Sequence, residues 1–294
     1  MTHLIRPEAA AVKGRAVQLF LAVLALTVLW LGLNAWLPWV QGSGVSNVAV
    51  RLSIHIAIAL GLWLALENTG LAPRQRLATW LALIVPFTLW LAVIWSLAIS
   101  RFFQPIPGVG RPVLPLAIFL PVIVAVPMLL RLKRIGQVLD AMPPAWLVAL
   151  QVYRVFGGIF LVGWAAGRLP GLFALPAGIG DATTGLLALP VAYYLASGAT
   201  GGRAAATAWN IFGLLDFTIA VGIGLITAPG PFQLIVPSVP SIGAGLYPTV
   251  MIPAFAVPSS ILLHALSLRQ LRRLAKQTEV HAHSSATPLS PATA

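Results

Sequence analysis

The 294-residue chain contains no cysteine, which excludes a disulfide, a thiolate nucleophile and a cysteine-bound metal. Charge is scarce as well. Asp, Glu, Lys and Arg make up 8% of the residues, against about 25% in an ordinary soluble domain. No lysine falls within an apolar segment, so a retinal Schiff base is excluded. Neither a phosphate-cradling loop nor a metal-ligand cluster occurs, and no cofactor is expected.

What the chain has is apolar length. Hydrophobic residues reach 59%, too large a surplus for one globular core, so the bilayer is expected to be the solvent. Eight apolar stretches can be read, at 16–40, 49–66, 77–99, 113–130, 145–166, 172–196, 207–228 and 249–268. Each is long enough to cross a core of about 30 Å as a helix. A closed barrel is excluded by these lengths, and open sheets by their unsatisfied backbone groups. The expected fold is therefore an all-α polytopic transmembrane helix bundle of eight helices. The first stretch follows Lys13 and Arg15, yet it is too long for a secretory signal and no small-x-small site follows Trp36 and Trp39. It is expected to be a retained helix.

The net charge of +12 is topological rather than a nucleic-acid footprint. With a cytoplasmic N-terminus, that side carries Arg6, Lys13, Arg15, Arg74, Arg76, Arg131, Lys133, Arg134, Arg203, Arg269, Arg272, Arg273 and Lys276. The other side carries only Arg51, Arg101, Arg111 and Arg168. This asymmetry obeys the positive-inside rule with both termini in the cytoplasm. No basic face with an aromatic platform stands apart from these loops, so no nucleic-acid partner is expected. Trp36, Trp39, Trp164 and Tyr247 at outer ends, and Trp80, Trp146, Trp209, Tyr193 and Tyr194 at inner ends, read as interface anchors.

Four segments follow: a cytoplasmic N-terminal stretch over 1–15, a four-helix set over 16–132, a second set over 145–268 and a disordered tail over 277–294. The loop 131–144, with three basic residues, Asp140 and Pro143-Pro144, divides the two sets. The tail is polar and poor in large apolar residues; its His281 and His283 form an HxH pair, too little to hold a metal. The outer loop 229–248 has five prolines and no charge, so it is expected to lie on or dip into the membrane, either as an inert interfacial loop or as a lid over a cavity.

Three ionisable residues, Arg154, Asp181 and Asp216, lie deep in the second set. A charge at the bilayer centre costs about 2.5 to 3.5 kcal/mol on insertion scales, so each must face protein or water and find a partner. Gln151, Arg154 and Gly158 share a face at α-helical spacing; Gly178, Asp181, Thr184, Gly185 and Ala188 share another; Asn210 and Asp216 flank a stripe of small residues. Arg154 and Asp216 each lie nine residues from the inner starts of their helices, about 14 Å deep by helical rise, and an ion pair between them is expected. Asp181, about 5 to 7 Å higher by the same rise, has no obvious cation. A carboxylate in that position takes up a proton or holds a cation. Pro176, Gly178 and Gly180 suggest a broken or 3₁₀ stretch just before it. His55 and His264 come out about 15 Å apart along the normal, which argues against a shared haem or metal and for polar packing at helix ends.

The stretches 151–161 (QVYRVFGGIFL), 173–181 (FALPAGIGD), 209–217 (WNIFGLLDF) and 253–271 (PAFAVPSSILLHALSLRQL) resemble a family of bacterial multispanning membrane proteins with no assigned activity. The resemblance implies an inner-membrane location and carries over no functional residue. The residues themselves point to a permease for a small solute or cation. In it Asp181 would titrate or bind the cation, Asp216 would pair with Arg154, and Asn210, Thr184 and Gln151 would shape the cavity. An accessory membrane subunit is a second expectation. A third is a GxGD-type intramembrane aspartyl protease, because Gly178-Ile179-Gly180-Asp181 matches that signature and Asp216 could complete a dyad. In those proteases, however, the GxGD aspartate follows its partner along the chain, whereas here it precedes Asp216.

Overall fold

The computed structural model describes the backbone of residues 9–37, 45–104 and 113–286. Trp39, Arg6 and Arg111 lie outside the described residues, as do the side chains of His281 and His283. Among the described residues there is no strand. Eight helices are long and apolar enough to cross a membrane, and the protein is an all-α multi-pass membrane bundle.

The first four spans are α1 (Ala9–Trp36), α2 (Val45–Glu67), α3 (Pro73–Ile99) and α4 (Val113–Arg131). A short helix, α5 (Lys133–Ala141), follows and buries Ile135, Val138 and Leu139. The fifth span is composite: α6 (Ala145–Ala149), a 3₁₀ segment (Leu150–Gly158) and α7 (Ile159–Ala165). Then come α8 (Gly171–Ala196), α9 (Gly202–Thr227) and α10 (Val257–Ala286), the last entered through a π turn at Ile252–Ala256.

Small residues decide which helix is central. Ala174, Ala177, Gly178, Gly185 and Ala188 on α8 are all buried, and such residues let neighbouring backbones approach closely. The helix packs against α1, α6, the 3₁₀ segment, α7 and α9. The first set is therefore not a separate block, since α1 lies directly on α8 and α2 touches the 3₁₀ segment.

Helix ends at the α5 side are closed by side chains of α10. Arg269 donates to the carbonyls of Leu129 at 2.7 Å and Leu132 at 3.2 Å, and Gln270 donates to those of Leu139 and Met142, both at 2.6 Å. Leu129 and Leu139 lie among the last four carbonyls of their helices, which lack an intrahelical donor, so the contacts there satisfy otherwise orphaned groups. Arg273 pairs with Asp140 on the same face. The helix runs on to Ala286, ten residues into the stretch read as a disordered tail, because a helix already nucleated by packing gains one hydrogen bond per added residue.

The loop 229–248 has two parts. Leu234 and Val236 are 81% and 83% exposed, an apolar tip. From Ser241 to Gly245 the chain turns inward as a 3₁₀ turn with Ser241 and Gly245 buried, and the Ser241 hydroxyl donates to that of Thr227 at 3.1 Å. Among the aromatic residues read as anchors, Trp36 and Trp164 are exposed, whereas Trp209 is buried and donates to the Thr184 carbonyl at 3.0 Å. The helix α9 begins at Gly202, five residues earlier than its apolar run, which moves Trp209 from the helix end into the core.

Candidate functional site

The 3₁₀ segment sets the geometry of the site. Three residues per turn place side chains at i and i+3 in line, so Gln151, Arg154 and Gly157 share the face toward α8. The α-helical spacing expected Gly158 there. Gly158 instead faces Leu31 of α1, where a Cβ would stand 3.2 Å from a leucine methyl. Gly157 lies against Asp181, and a Cβ at Gly157 would overlap the Asp181 side chain. The break expected just before Asp181 is not there, because α8 stays α-helical through Pro176, Gly178 and Gly180. A membrane helix tolerates the one hydrogen bond that Pro176 removes, and the irregular stretch belongs to the fifth span.

Arg154 is the hub. Its Nε donates to Asp181 Oδ1 at 2.7 Å, its Nη2 to Asp216 Oδ2 at 2.5 Å, and its Nη1 to the Gly213 carbonyl at 3.3 Å. Nη1 also lies 3.1 Å from Nε2 of His264. The guanidinium carbon stands 3.8 Å from the centre of the Phe217 ring, so a face of the planar cation, whose N–H donors all point in its plane, rests on an aromatic quadrupole. Beyond His264, Nδ1 lies 2.8 Å from Asn210 Oδ1, and Asn210 Nδ2 donates to Ser267 Oγ at 3.0 Å and to the Ala206 carbonyl at 2.7 Å. All of these side chains are buried. Arg154, Asp181, Asp216 and His264 each lie within three residues of the middle of their spans.

Of the residues singled out from sequence, Arg154, Asp181, Asp216 and Asn210 meet here. The Arg154–Asp216 pair is present as expected, and Asp181 is not left without a cation, since it shares the same guanidinium. Residue counting from assumed helix starts had separated the two carboxylates in depth, but α8 and α9 cross so closely that Asp216 lies against Gly180. Thr184 bonds back to the Gly180 carbonyl at 2.9 Å and meets the cluster only through its own carbonyl, which accepts from Trp209. Gln151 is fully buried, and its amide has no partner among the described residues.

Sequence reasoning misplaced one residue of the site and did not foresee the burial of another. His264 was set at a helix end, but its span runs from Ile252 to Gln277 and puts it near the middle. The signal was available: Arg269, Arg272 and Arg273 were counted as a loop, while a helix continuing through them would have centred His264. Arg51 was counted among the outer-side charges, at the end of the second apolar stretch; it is the fourth residue of the span Val48–Glu67 and is 4% exposed. Arg51 is thus a fourth buried charged residue, and it lines the same cavity as Arg154 and Asp181.

Two cavities approach the cluster from the end of the bundle that bears the loop 229–248. One, of about 270 Å³, runs between Phe103, Phe173, Ala220 and Phe232 and reaches Asp181. The other, of about 350 Å³, is lined by Trp30, Arg51, Tyr153, Arg168 and Tyr247 and reaches Arg154 and Asp181. Both include Asp181 and Phe217, and Asp216 lines neither. The inward turn 241–245 contributes to both walls. In the second cavity the Tyr153 and Ser260 hydroxyls hydrogen-bond each other.

The profile of a family described as a domain of unknown function, DUF8737, matches residues 111–272, more than half of the chain. The match takes in Arg154, Asp181, Asn210, Asp216 and His264, whereas Trp30, Asn34 and Arg51 on the cavity wall lie outside it. No curated protein and no solved structure matches the chain.

Proposed function

The chain belongs to the DUF8737 family, and we propose that it is a permease for a small solute or ion. It would sit in a bacterial inner membrane with both termini in the cytoplasm, as the distribution of Lys and Arg supports. One observation carries the reading: Asp181 faces both cavities while bonded to a buried arginine near mid-membrane. Carriers place coupling sites at this depth, on interrupted helices that line a cavity.

The two carboxylates have unequal parts. Asp216 is shut away from both cavities and serves as the fixed counter-ion of Arg154. Asp181 is the exchangeable one. When a proton or cation takes Asp181, Arg154 remains held by Asp216, Gly213, His264 and Phe217. The site can therefore cycle without leaving a buried charge unpaired, which in general costs several kcal/mol.

The protease reading needs two carboxylates sharing a proton, and here they share a guanidinium, so the geometry supports it less. An accessory subunit would keep the cluster as a clamp and tolerate Asp181→Asn. The test is proton influx into proteoliposomes that hold a trapped pH-sensitive dye under a potassium diffusion potential. Influx above that of protein-free vesicles, abolished by Asp181→Asn with an unchanged melting temperature, is expected. No influx, or full influx in the variant, overturns the permease.

A further inference from the structure

Asp181 lines both cavities, but the smaller one is walled by rings. Phe102, Phe103, Phe160, Phe173, Phe217 and Phe232 all line it. Phe160 and Phe173 form an edge-to-face pair with centroids 5.2 Å apart, a geometry that a further aromatic ring can join. Phe232, 52% exposed in the loop 229–248, stands at the lip. The volume is about 270 Å³. An apolar protein cavity of about 150 Å³ admits benzene, so this one has room for a bicyclic ring system.

The polar side chains of this wall are Arg101, Gln104, Ser241 and Asp181. Arg101 and Gln104 are exposed in the turn after α3, at the mouth. The Ser241 hydroxyl is engaged with Thr227. Asp181 stands ten residues after Gly171, where α8 starts at the same end, about 15 Å inward by helical rise. Arg154 donates to its Oδ1 at 2.7 Å, and among the described residues no hydrogen bond reaches Oδ2. A carboxylate only accepts, so the inner end of the cavity suits a donor. An ion bound midway would be held against phenyl rings with neither charge beside it, which is costly. The wall therefore favours an uncharged solute.

We propose that the smaller cavity binds a compact, uncharged aromatic molecule with one hydrogen-bond donor, its rings among Phe160, Phe173 and Phe232 and its donor directed to Asp181. This rests on the permease reading for its role, though not for its existence. Solute and exchangeable proton then meet at one side chain.

Isothermal titration calorimetry of the full-length protein in lipid nanodiscs tests the proposal, with empty nanodiscs as the blank. Indole should bind saturably, one per chain. 1-Methylindole, which lacks the N–H donor, should bind at least fivefold more weakly, and benzoate, benzylammonium and 1-octanol should give no saturable heat. Ala220→Phe fills the cavity from α9 and should abolish indole binding. Ile219→Phe adds the same ring on the outside, where Ile219 is 51% exposed, and should leave it unchanged. Phe232→Ala, at the exposed lip, is the second variant, with a threefold or larger weakening expected. No saturable indole heat, equal binding of 1-methylindole, a charged probe or octanol, or undiminished binding in both Ala220→Phe and Phe232→Ala overturns the proposal. Proton influx into proteoliposomes separates the two ideas. Influx without indole binding leaves the permease and sinks the aromatic site, while saturable indole binding without influx does the reverse.

Discussion

Nε2 of His264 lies 3.1 Å from Nη1 of Arg154, an atom that can only donate, so the imidazole meets the ion cluster as an acceptor. Its proton therefore sits on Nδ1 and points at Asn210 Oδ1, 2.8 Å away. That oxygen assignment agrees with the Asn210 amide nitrogen, which donates to Ser267 and Ala206. Direction runs one way along the chain of bonds, from Arg154 to His264, and from His264 and the Asn210 amide outward.

The nitrogen-15 spectrum of His264 should accordingly show a neutral ring protonated at Nδ1. Asn210→Leu removes the acceptor that fixes this tautomer, and the Nε2-protonated form should then become detectable. A spectrum of the unsubstituted protein dominated by protonated Nε2 would contradict the bonding scheme.

Replacing Arg154 with Met leaves Asp181 and Asp216 buried without a cation. Breaking a buried pair from one side costs about 3–5 kcal/mol, so the melting temperature in detergent should fall sharply. Adding Asp181→Asn and Asp216→Asn should recover much of the loss, since two neutral amides no longer demand a counter-charge. The contrast is Arg273–Asp140, whose side chains are 40% and 37% exposed. There Asp140→Asn should change stability by about 1 kcal/mol at most. Equal losses at the two places would mean that the membrane cluster is solvated.

Gly180 leaves room on α8 for the Asp216 side chain of α9, because a Cβ there would fall on the Asp216 carboxylate. Gly180→Ala should push Asp216 off Arg154, lowering both stability and proton influx. Gly222, on α9 with nothing within 4 Å of a Cβ, is the control. Gly222→Ala should be neutral or raise stability by up to about 1 kcal/mol through helix propensity. Side-by-side melting curves decide the matter, and equal effects would remove the close approach as the cause.

The sequence made the bundle legible because span length and apolarity follow directly from the thickness of the hydrocarbon layer. The Arg154–Asp216 pair was legible for a related reason, as two opposite charges at one depth in lipid must meet. What it hid depends on backbone detail. A 3₁₀ stretch of nine residues over Leu150–Gly158 is longer than such runs usually are. It changes the period from 3.6 to 3.0 and with it the residue that faces Asp181. His264 was misplaced because Arg269, Arg272 and Arg273 were read as loop, and the burial of Arg51 at its helix end was not foreseen, although a long arginine stem can stay inside and still find polar company. Gln151 is buried, but it lines neither cavity and its amide has no partner among the described residues.

The absence of cysteine makes one further test unusually clean, since any reactive thiol introduced is the only one. Ala177 and Ile179 lie two residues apart on α8, about 3 Å in depth by helical rise, but on different faces. Ala177 is buried and lines the smaller cavity, while Ile179 is 54% exposed on the outside of the bundle. On α9, Ala220 lines the same cavity and Leu215 is 56% exposed on the outside. A charged methanethiosulfonate reagent needs water to arrive and a thiolate to react with, and lipid supplies neither. Ala177→Cys and Ala220→Cys should therefore be modified in intact membranes from the side bearing the loop 229–248, and Ile179→Cys and Leu215→Cys should stay unreacted. Because Ala177 and Ile179 share a helix and nearly a depth, position along the membrane normal cannot produce the difference between those two. Modification of the outer-face pair alone would place water where the bundle meets lipid, and no modification of the inner pair would mean that the cavity reaching Asp181 is closed to solvent.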